Sequence, residues 1–242
     1  MIFLFTDFGL EGPYVGQMKA ALHIVAPRVP VFDLFADAPD RSPKEAAYLL
    51  AAYVGSCPPG SHFLCVVDPG VGGDRPPVAL KAGEAWFVGP GNGLLELVHR
   101  QAPDAETYVI EWRPERLSAS FHGRDLFAPV LGKLAAGAAP HDAGLRRADV
   151  PRFPDWPDDL AAVIYTDRYG NLMTGLRDTT IERKNRLRLG SREIPWAATF
   201  SAVAPGQAFW YANSTGLVEI AINGGNAALA LNVGPGSGVE II

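Results

Sequence analysis

The apolar run Phe63-Leu-Cys-Val-Val67 ends in an acid on a Gly/Pro loop with a cation close behind: Asp68-Pro-Gly-Val-Gly-Gly73, then Arg75. An aspartate at the end of a buried strand presents a carboxylate in a cleft. The same residues also suit a tight turn in which Asp68 bonds the backbone around Pro69, and Arg75 alone would read as a solvated surface residue. A second island, Phe121-His-Gly-Arg-Asp125, places another ionisable set on a loop entering a helix, with His122 after Phe121 and before a glycine. Carboxylate, guanidinium and imidazole together can orient water, stabilise developing charge and relay a proton.

Four more islands carry polar groups: Thr6-Asp-Phe-Gly9, Gly89-Pro-Gly-Asn-Gly93, Asp167-Arg-Tyr-Gly-Asn171 and Asn213-Ser-Thr-Gly216. Asp7 directly follows an apolar run, where an acid can accept from ribose hydroxyls or cap the next element. Asn171 offers both a donor and an acceptor, which suits an adenine edge. Asp167 suits an ammonium, and Ser214 a carboxylate, although both loops have the Gly and Asn content of plain β-turns. Gly89–Gly93 matches neither a phosphate loop nor a dinucleotide fingerprint: Pro90 removes an amide donor and no Lys-Ser/Thr follows. It reads as a turn leading into a helix over Leu94–Val98. His23, His62, His99 and His141 form no HxH or HxxxH pair, so the one metal set to consider is Asp7, Asp68 and His122.

The elements that position these loops fall into two patterns. Through about residue 135, apolar runs alternate with helical spacing, which predicts an α/β layered, Rossmann-like N-terminal domain over residues 1–150. Strands are expected at Ile2–Phe5, Val31–Phe35, Phe63–Val67, Val78–Leu80, Trp86–Val88 and Tyr108–Ile110. Helices are expected around Val15–Val25, after Ser42-Pro43 with Glu45 completing a capping box, and from Asp125 to Leu134. Four prolines between Gly137 and Pro157 mark a surface linker. From about Leu160, short runs with turn punctuation predict a smaller all-β C-terminal domain over 158–242, closed as a barrel. Its strands are Ala161–Thr166, Leu187–Leu189, Ala208–Tyr211, Leu217–Ile222, Ala228–Val233 and Val239–Ile242.

Composition narrows the function classes. The 242 residues are 48% apolar and 19% charged, ordinary for a folded chain with ample core. Net charge is −5 with no basic stripe, which argues against a nucleic-acid or membrane partner. Two cysteines, one inside a predicted strand, exclude a disulfide framework or a Cys-rich zinc site. The five apolar residues at the start, Met1-Ile-Phe-Leu-Phe5, have no basic residues before them and are too short for a signal core, so the expected location is the cytoplasm.

In order and spacing, the six islands, with Glu219-Ile-Ala221 after the last, resemble the S-adenosyl-L-methionine (SAM) hydroxide adenosyltransferase family, the SAM hydrolases related to fluorinases and chlorinases. The resemblance covers nearly the full chain. It implies that water or hydroxide displaces methionine from C5′ of the adenosyl group, giving adenosine and L-methionine, with SAM as substrate and no metal or other cofactor. It also implies a homotrimer whose sites lie between the N-terminal domain of one subunit and the C-terminal domain of the next. The family's catalytic Asp, Arg and His fall on Asp68, Arg75 and His122, and its ribose-binding acid on Asp7. Its adenine- and methionine-binding positions fall on Asn171, Asp167 and Ser214, with Asn223 and Gly224 adjoining the adenine pocket.

The halogenase branch has a Tyr and a Thr on the loop that here holds Asp68 and Val71, and a Ser near Gly123. Without those hydroxyls, a halide pocket gives way to an ionic set suited to water. Two small departures from the family pattern are Tyr169, for an aromatic often written Phe, and Gly175 after Met173-Thr174. The leaving group is a neutral thioether, so no general acid is required. Full proton transfer from water (pKa about 15.7) to an ordinary Asp (about 3.9) is uphill by roughly 16 kcal/mol, so Asp68 cannot act as a simple strong base. The alternatives to hydrolysis are a non-catalytic SAM or adenosine sensor, a SAM-dependent halogenase and a metal-dependent hydrolase.

Overall fold

The computed structural model describes residues 1–242. They form two compact units, Met1–Leu50 with Cys57–Phe153 and Ala51–Ser56 with Pro154–Ile242. The first unit is built on strands β1 (Ile2–Thr6), β2 (Val31–Phe35), β3 (His62–Val66), β4 (Pro77–Ala82), β5 (Ala85–Pro90), β6 (Glu106–Ile110) and β7 (Leu145–Arg147). They make one sheet in the order β2-β1-β3-β5-β4-β6-β7. β1, β2, β3 and β5 run parallel, and β4 turns the far side antiparallel.

Helices α1 (Tyr14–Val25) and α2 (Pro43–Val54) follow the first two strands. Leaving β1, the chain goes to one side to form β2 and comes back to the other side for β3. The carboxyl ends of β1 and β3, paired through Thr6 and Val66, therefore mark the point where strand order reverses. Crevices open at such points because successive loops diverge there. Met18 and Leu22 of α1, Leu4 and Leu64 of the sheet, and Val130 and Leu131 of α4 (Ala128–Ala135) bury together as the core of the unit. Glu45 lies in the first turn of α2 and accepts from the Ser42 hydroxyl. This side-chain pair stands in place of the reciprocal capping-box bonds that the spacing predicts, since Ser42 N–H already donates to the Pro39 carbonyl.

Two expectations fail in this unit. Within the proline-marked stretch 137–157, Leu145–Arg147 forms β7 and pairs with β6 through Tyr108–Arg147, Val109–Arg146 and Ile110–Leu145. Only Leu145 of the three faces the core, so the strand leaves no alternating apolar signal. Before α4, a turn of π-helix over Gly123–Phe127 replaces the regular start expected near Asp125. The remaining helix of the unit, α3, spans Glu96–Gln101.

The second unit holds β8 (Leu160–Thr166), β9 (Leu172–Arg177), β10 (Leu187–Leu189), β11 (Arg192–Ile194), β12 (Ala208–Ala212), β13 (Leu217–Ile222) and β14 (Val239–Ile241). Instead of one closed barrel, these strands form a four-stranded sheet, β12-β13-β9-β8, and a three-stranded sheet, β11-β10-β14. Single bridges at Ala162–Gly238 and Trp196–Trp210 are isolated pairings outside these ladders. Pro195 next to one bridge, and Gly234-Pro-Gly-Ser-Gly238 at the other, interrupt the ladders because proline donates nothing and glycine is costly to hold extended. The strand expected at Ala228–Val233 is instead helix α5, Ala227–Leu231. Asn226 caps it by accepting from Leu229 N–H at 2.8 Å, and Asn232 ends it with φ 53. No helix is long and apolar enough to cross a membrane.

Candidate active site

Asp7 and Asp68 lie just past the carboxyl ends of the adjacent strands β1 and β3. The Asn92 amide fixes the approach to Asp68 by donating to the Val67 carbonyl at 2.9 Å, so the Gly89–Gly93 turn is part of the scaffold. Gly72 closes the loop with φ +79, where an added Cβ would stand 2.6 Å from the Ala119 carbonyl oxygen. That close approach brings the Asp68 loop against the segment leading to His122.

Asp68, Arg75 and His122 form one hydrogen-bonded chain. Arg75 Nε donates to Asp68 Oδ1 and Oδ2, each at 3.0 Å, and its Nη2 donates to Oδ2 as well. Nη2 also reaches His122 Nδ1 at 3.0 Å. A guanidinium only donates, so Nδ1 is the acceptor and the neutral imidazole carries its proton on Nε2. Burial lowers the His122 pKa, and the Arg75 charge lowers it further, so the ring is neutral near pH 7. Arg75 also lies over the Phe127 ring at 5.3 Å and His122 packs edge-on to the same ring, so the π turn supplies a wall for both. The Asp68 and Arg75 side chains are 4% and 10% exposed. Of the set Asp7, Asp68 and His122, two members are tied to the Arg75 guanidinium and the third accepts from Arg41 N–H. No group of three His, Cys, Asp or Glu side chains is arranged to hold a metal ion.

Asp7 Oδ2 accepts from Arg41 N–H at 2.9 Å, and Arg41 aims that donor by taking a left-handed backbone, φ 52. Burial raises the Asp7 pKa, partly offset by the Arg41 bond, and the Asp40 and Asp68 charges raise it further. Asp7 lines a cavity of about 590 Å³ with Phe8, Tyr14, Gln17, Phe121 and Arg124. Arg124 pairs with Asp125, which in turn accepts from Ser118 N–H at 2.9 Å. Those two ionisable residues of the second island therefore hold the loop instead of joining the Arg75 chain.

In the second unit, a cavity of about 800 Å³ lies over one face of the four-stranded sheet. Register builds its floor: Tyr211 of β12 is opposite Glu219 of β13, and Glu219 is opposite Met173 of β9. The β8–β9 turn carries Asp167 and Asn171. Asp167 Oδ1 accepts from Tyr169 N–H at 2.9 Å and Asn171 N–H at 2.8 Å, while Oδ2 accepts from the Asn171 amide at 3.0 Å. Gly170 lets the turn close on α5: its φ is +85, and a Cβ would fall 2.1 Å from the Asn226 side chain. Tyr53, Tyr169, Phe200 and Tyr211 supply aromatic walls. Two carboxylates, Asp167 and Glu219, line the cavity, and no Lys, Arg or His does.

Of the residues singled out from sequence, the structure joins Asp68, Arg75 and His122 in one network and sets Asp7 at the neighbouring strand end. Asp167, Asn171, Ser214 and Gly224 all line the second unit's cavity. Asn223 is not among its lining residues, and its amide donates to the Val203 carbonyl at 2.8 Å. Tyr53, Tyr211, Asn213 and Glu219 line the cavity without having been assigned roles. A signal for Glu219 was present: a lone acid in the apolar run Leu217-Val-Glu-Ile-Ala-Ile222 costs too much to bury without a purpose.

Compared with known proteins, the chain matches the SAM hydroxide adenosyltransferase N-terminal domain over residues 2–144 and the C-terminal domain over residues 161–240. It is 36% identical over 249 residues to a protein of Salinispora arenicola named (R)-S-adenosyl-L-methionine hydrolase, covering 98% of this chain and 95% of that one. A protein of the same name from Thermus thermophilus is 35% identical over 262 residues, covering 100% and 99%. Among solved structures, an uncharacterized conserved protein from Thermotoga maritima matches with TM-score 0.89 and 31% identity over 100% of this chain and 99% of that one.

Proposed function

The chain belongs to the SAM hydroxide adenosyltransferase family, and from that premise we propose that it hydrolyses S-adenosyl-L-methionine to adenosine and L-methionine. Water attacks C5′ of the adenosyl group, the C5′–S bond breaks, and the sulfur leaves as a neutral thioether with the bonding pair. The observation that carries this reading is the Asp68–Arg75–His122 chain at the strand-order reversal, a preassembled ionic set with hydroxyls from neither Tyr nor Thr in it.

In this mechanism Arg75 fixes the Asp68 carboxylate, whose remaining lone pairs accept from the attacking water and aim its oxygen. Proton loss accompanies attack, because free hydroxide is too costly to form first. The water proton passes to the Asp68 carboxylate as the C5′–O bond forms and C5′–S breaks, and from there to solvent. Arg75 and the substrate sulfonium stabilise the developing negative charge, and neutral His122 keeps Arg75 in line by accepting from its Nη2. No metal is required, since Arg75 already provides the positive charge. Asp7 holds the ribose hydroxyls. Asn171 reads the adenine edge, Asp167 takes the ammonium of the methionine part and Ser214 its carboxylate. Gly224 lines the adenine side, and Asn223 serves there by tying the adjoining loop to Val203. The assembly is a homotrimer, and each site joins the Asp68 cluster of one subunit to the Asn171 cavity of a neighbour.

Purified protein given SAM is expected to release adenosine and methionine in equal amounts, unchanged by EDTA. Chromatography of the products checks this, and sedimentation checks the trimer. Release that stops on chelation would move the reading to a metal hydrolase. Tight adenosine binding with no product over hours would leave a sensor.

A further inference from the structure

Two buried side-chain polar atoms have no hydrogen-bond partner, Thr6 Oγ1 and Thr166 Oγ1. Each residue ends a strand directly before a site acid, Asp7 after β1 and Asp167 after β8. Buried hydroxyls are ordinarily paired, because an unbonded one has given up water without a replacement. Thr6 is the fully buried case, at 0% exposure. Valine has the same branched shape and suits a strand as well, so neither shape nor strand preference calls for a hydroxyl here.

Register places that hydroxyl beside the Asp68 cluster. Ile2, Leu4 and Thr6 alternate onto one face of β1, and Ile2 and Leu4 bury with Leu64 and Val66 of β3 in the core that includes Phe127. Phe127 is the ring that walls both Arg75 and His122. Thr6 pairs with Val66, and a Cβ on Gly123, next to His122, would stand 3.5 Å from Val66 Cγ2. Thr6 therefore shares a face, a strand neighbour and a strand end with the Asp68–Arg75–His122 chain. Asp68 comes two residues after Val66, and one strand spacing across with two residues along puts its Cα roughly 8 Å from that of Thr6. Two short side chains and one water span such a gap.

We propose that Thr6 is a second anchor of the attacking water: Asp68 holds one of its hydrogens, Thr6 Oγ1 accepts the other, and its lone pairs are left to face C5′. The inference rests on the hydrolysis proposed above and deepens it. In the reaction the water oxygen bonds C5′, the C5′–S pair leaves with sulfur, and the hydrogen held by Asp68 is the one lost as a proton. The hydrogen held by Thr6 stays on the oxygen and becomes the 5′-hydroxyl hydrogen of adenosine. The same contact therefore survives in the product complex, where binding alone can read it.

The test sets SAM turnover beside calorimetric binding of adenosine and of 5′-deoxyadenosine, which lacks only the oxygen that the water supplies. The unaltered protein is expected to bind adenosine about tenfold more tightly. Thr6→Val keeps the branched shape and should bring that ratio down about fivefold. Its kcat should fall about tenfold, with KM for SAM within about twofold. Thr6→Ser keeps the hydroxyl and should hold ratio and kcat within about threefold of the unaltered values. A purely structural hydroxyl would instead lower the melting temperature on removal and leave the nucleoside ratio alone. Full turnover or an unmoved ratio in Thr6→Val overturns the proposal. So does equal binding of the two nucleosides by the unaltered protein, which needs no variant to fold. If the protein binds no adenosine and turns over no SAM, the functional reading falls and takes this one with it. If it does both while the ratios stay flat, only the Thr6 anchor falls.

Discussion

The two polar centres of this chain solve opposite electrostatic problems. In the first unit, Asp68, Arg75 and His122 satisfy one another: acid, cation and neutral imidazole form a closed chain with little exposure. In the second, Asp167 and Glu219 line a cavity walled by aromatic rings, with only neutral donors around them. The first centre is complete and rigid before anything binds, which is what aiming a water demands. The second carries uncompensated negative charge, which suits a ligand that brings its own cations. A sulfonium with an ammonium does so. On the proposed reading, the chemistry belongs to the Asp68 chain of the first unit and the base and methionine part are read in the second, with Asp7 of the first unit on the ribose. Variants in the two centres should therefore fail differently.

The sharpest break is Asp68→Asn. The amide keeps the shape but cannot accept at both oxygens, so Arg75 and the attacking water lose their fixed partner. Turnover is expected to fall by about 10³ or more, with adenosine affinity within about threefold. A comparable loss in binding would mean that the first centre recognises ligand as well. Next in size is Asp167→Asn, which keeps the Oδ1 acceptor for Tyr169 and Asn171 N–H but removes the charge. SAM is expected to bind roughly 30-fold more weakly, and adenosine, which lacks the ammonium, to lose less, about threefold, because the new NH₂ faces the Asn171 amide that Oδ2 now holds. Steady-state kinetics should show this as a rise in KM with kcat nearly intact.

How much of this contrast was legible in sequence follows the range of the interactions. Asp7 and Asp68 were visible because strand ends and Gly/Pro loops are local signals, and the 2-1-3 strand order then brought them side by side. The tie from Arg75 to His122 spans 47 residues, and no spacing rule specifies it. β7 was hidden because two of its three residues are exposed arginines, and α5 was misread because five residues between the Asn226 and Asn232 caps are too few to show helical periodicity. β9 escaped notice because all but its last residue is buried, which erases the alternation that marks a half-exposed strand. Glu219 could be seen as an oddity but not as a hub, because Tyr211 and Met173 meet it only through cross-strand register.

A smaller effect separates the centres by pH. Burial and the Arg75 charge hold the His122 pKa below its usual 6.5, so the ring is neutral above that value and gains a proton only as pH falls through the lowered one. A protonated ring can no longer accept from Arg75, and the chain opens. The rate is therefore expected to fall on the acid side, with its midpoint below 6.5. His122→Gln should be slower, by about tenfold, and lose this acid limb. Nucleoside binding in the second unit should not follow the same titration. A pH–rate profile set beside binding isotherms at each pH checks both statements, and a shared acid limb would erase the distinction.

The mildest effect on turnover comes from an ion cluster that does no chemistry. Glu96 in α3 is 4% exposed and bonds Arg100 Nε at 2.8 Å, Arg152 Nε at 2.9 Å and Phe153 N–H at 3.2 Å. Burial alone would raise its pKa, but the bonds from Arg152 and Arg100 outweigh burial and bring it from 4.5 to about 2. An acid depressed in the folded state stabilises fully above its unfolded pKa of 4.5, and that stability is lost as pH falls through about 2. The shift corresponds to about 3 kcal/mol at neutral pH, and the half-exposed Arg152 trims the figure. Glu96→Gln should lower the unfolding temperature by roughly 5–10 °C and flatten the acid dependence below pH 4.5. Turnover at 25 °C should change less than about twofold, because nothing in this cluster touches the Asp68 chain. On the proposed reading, ionic networks in the first unit divide into one that acts on substrate and one that only holds the fold. Lost turnover with unchanged melting in Glu96→Gln would dissolve that division.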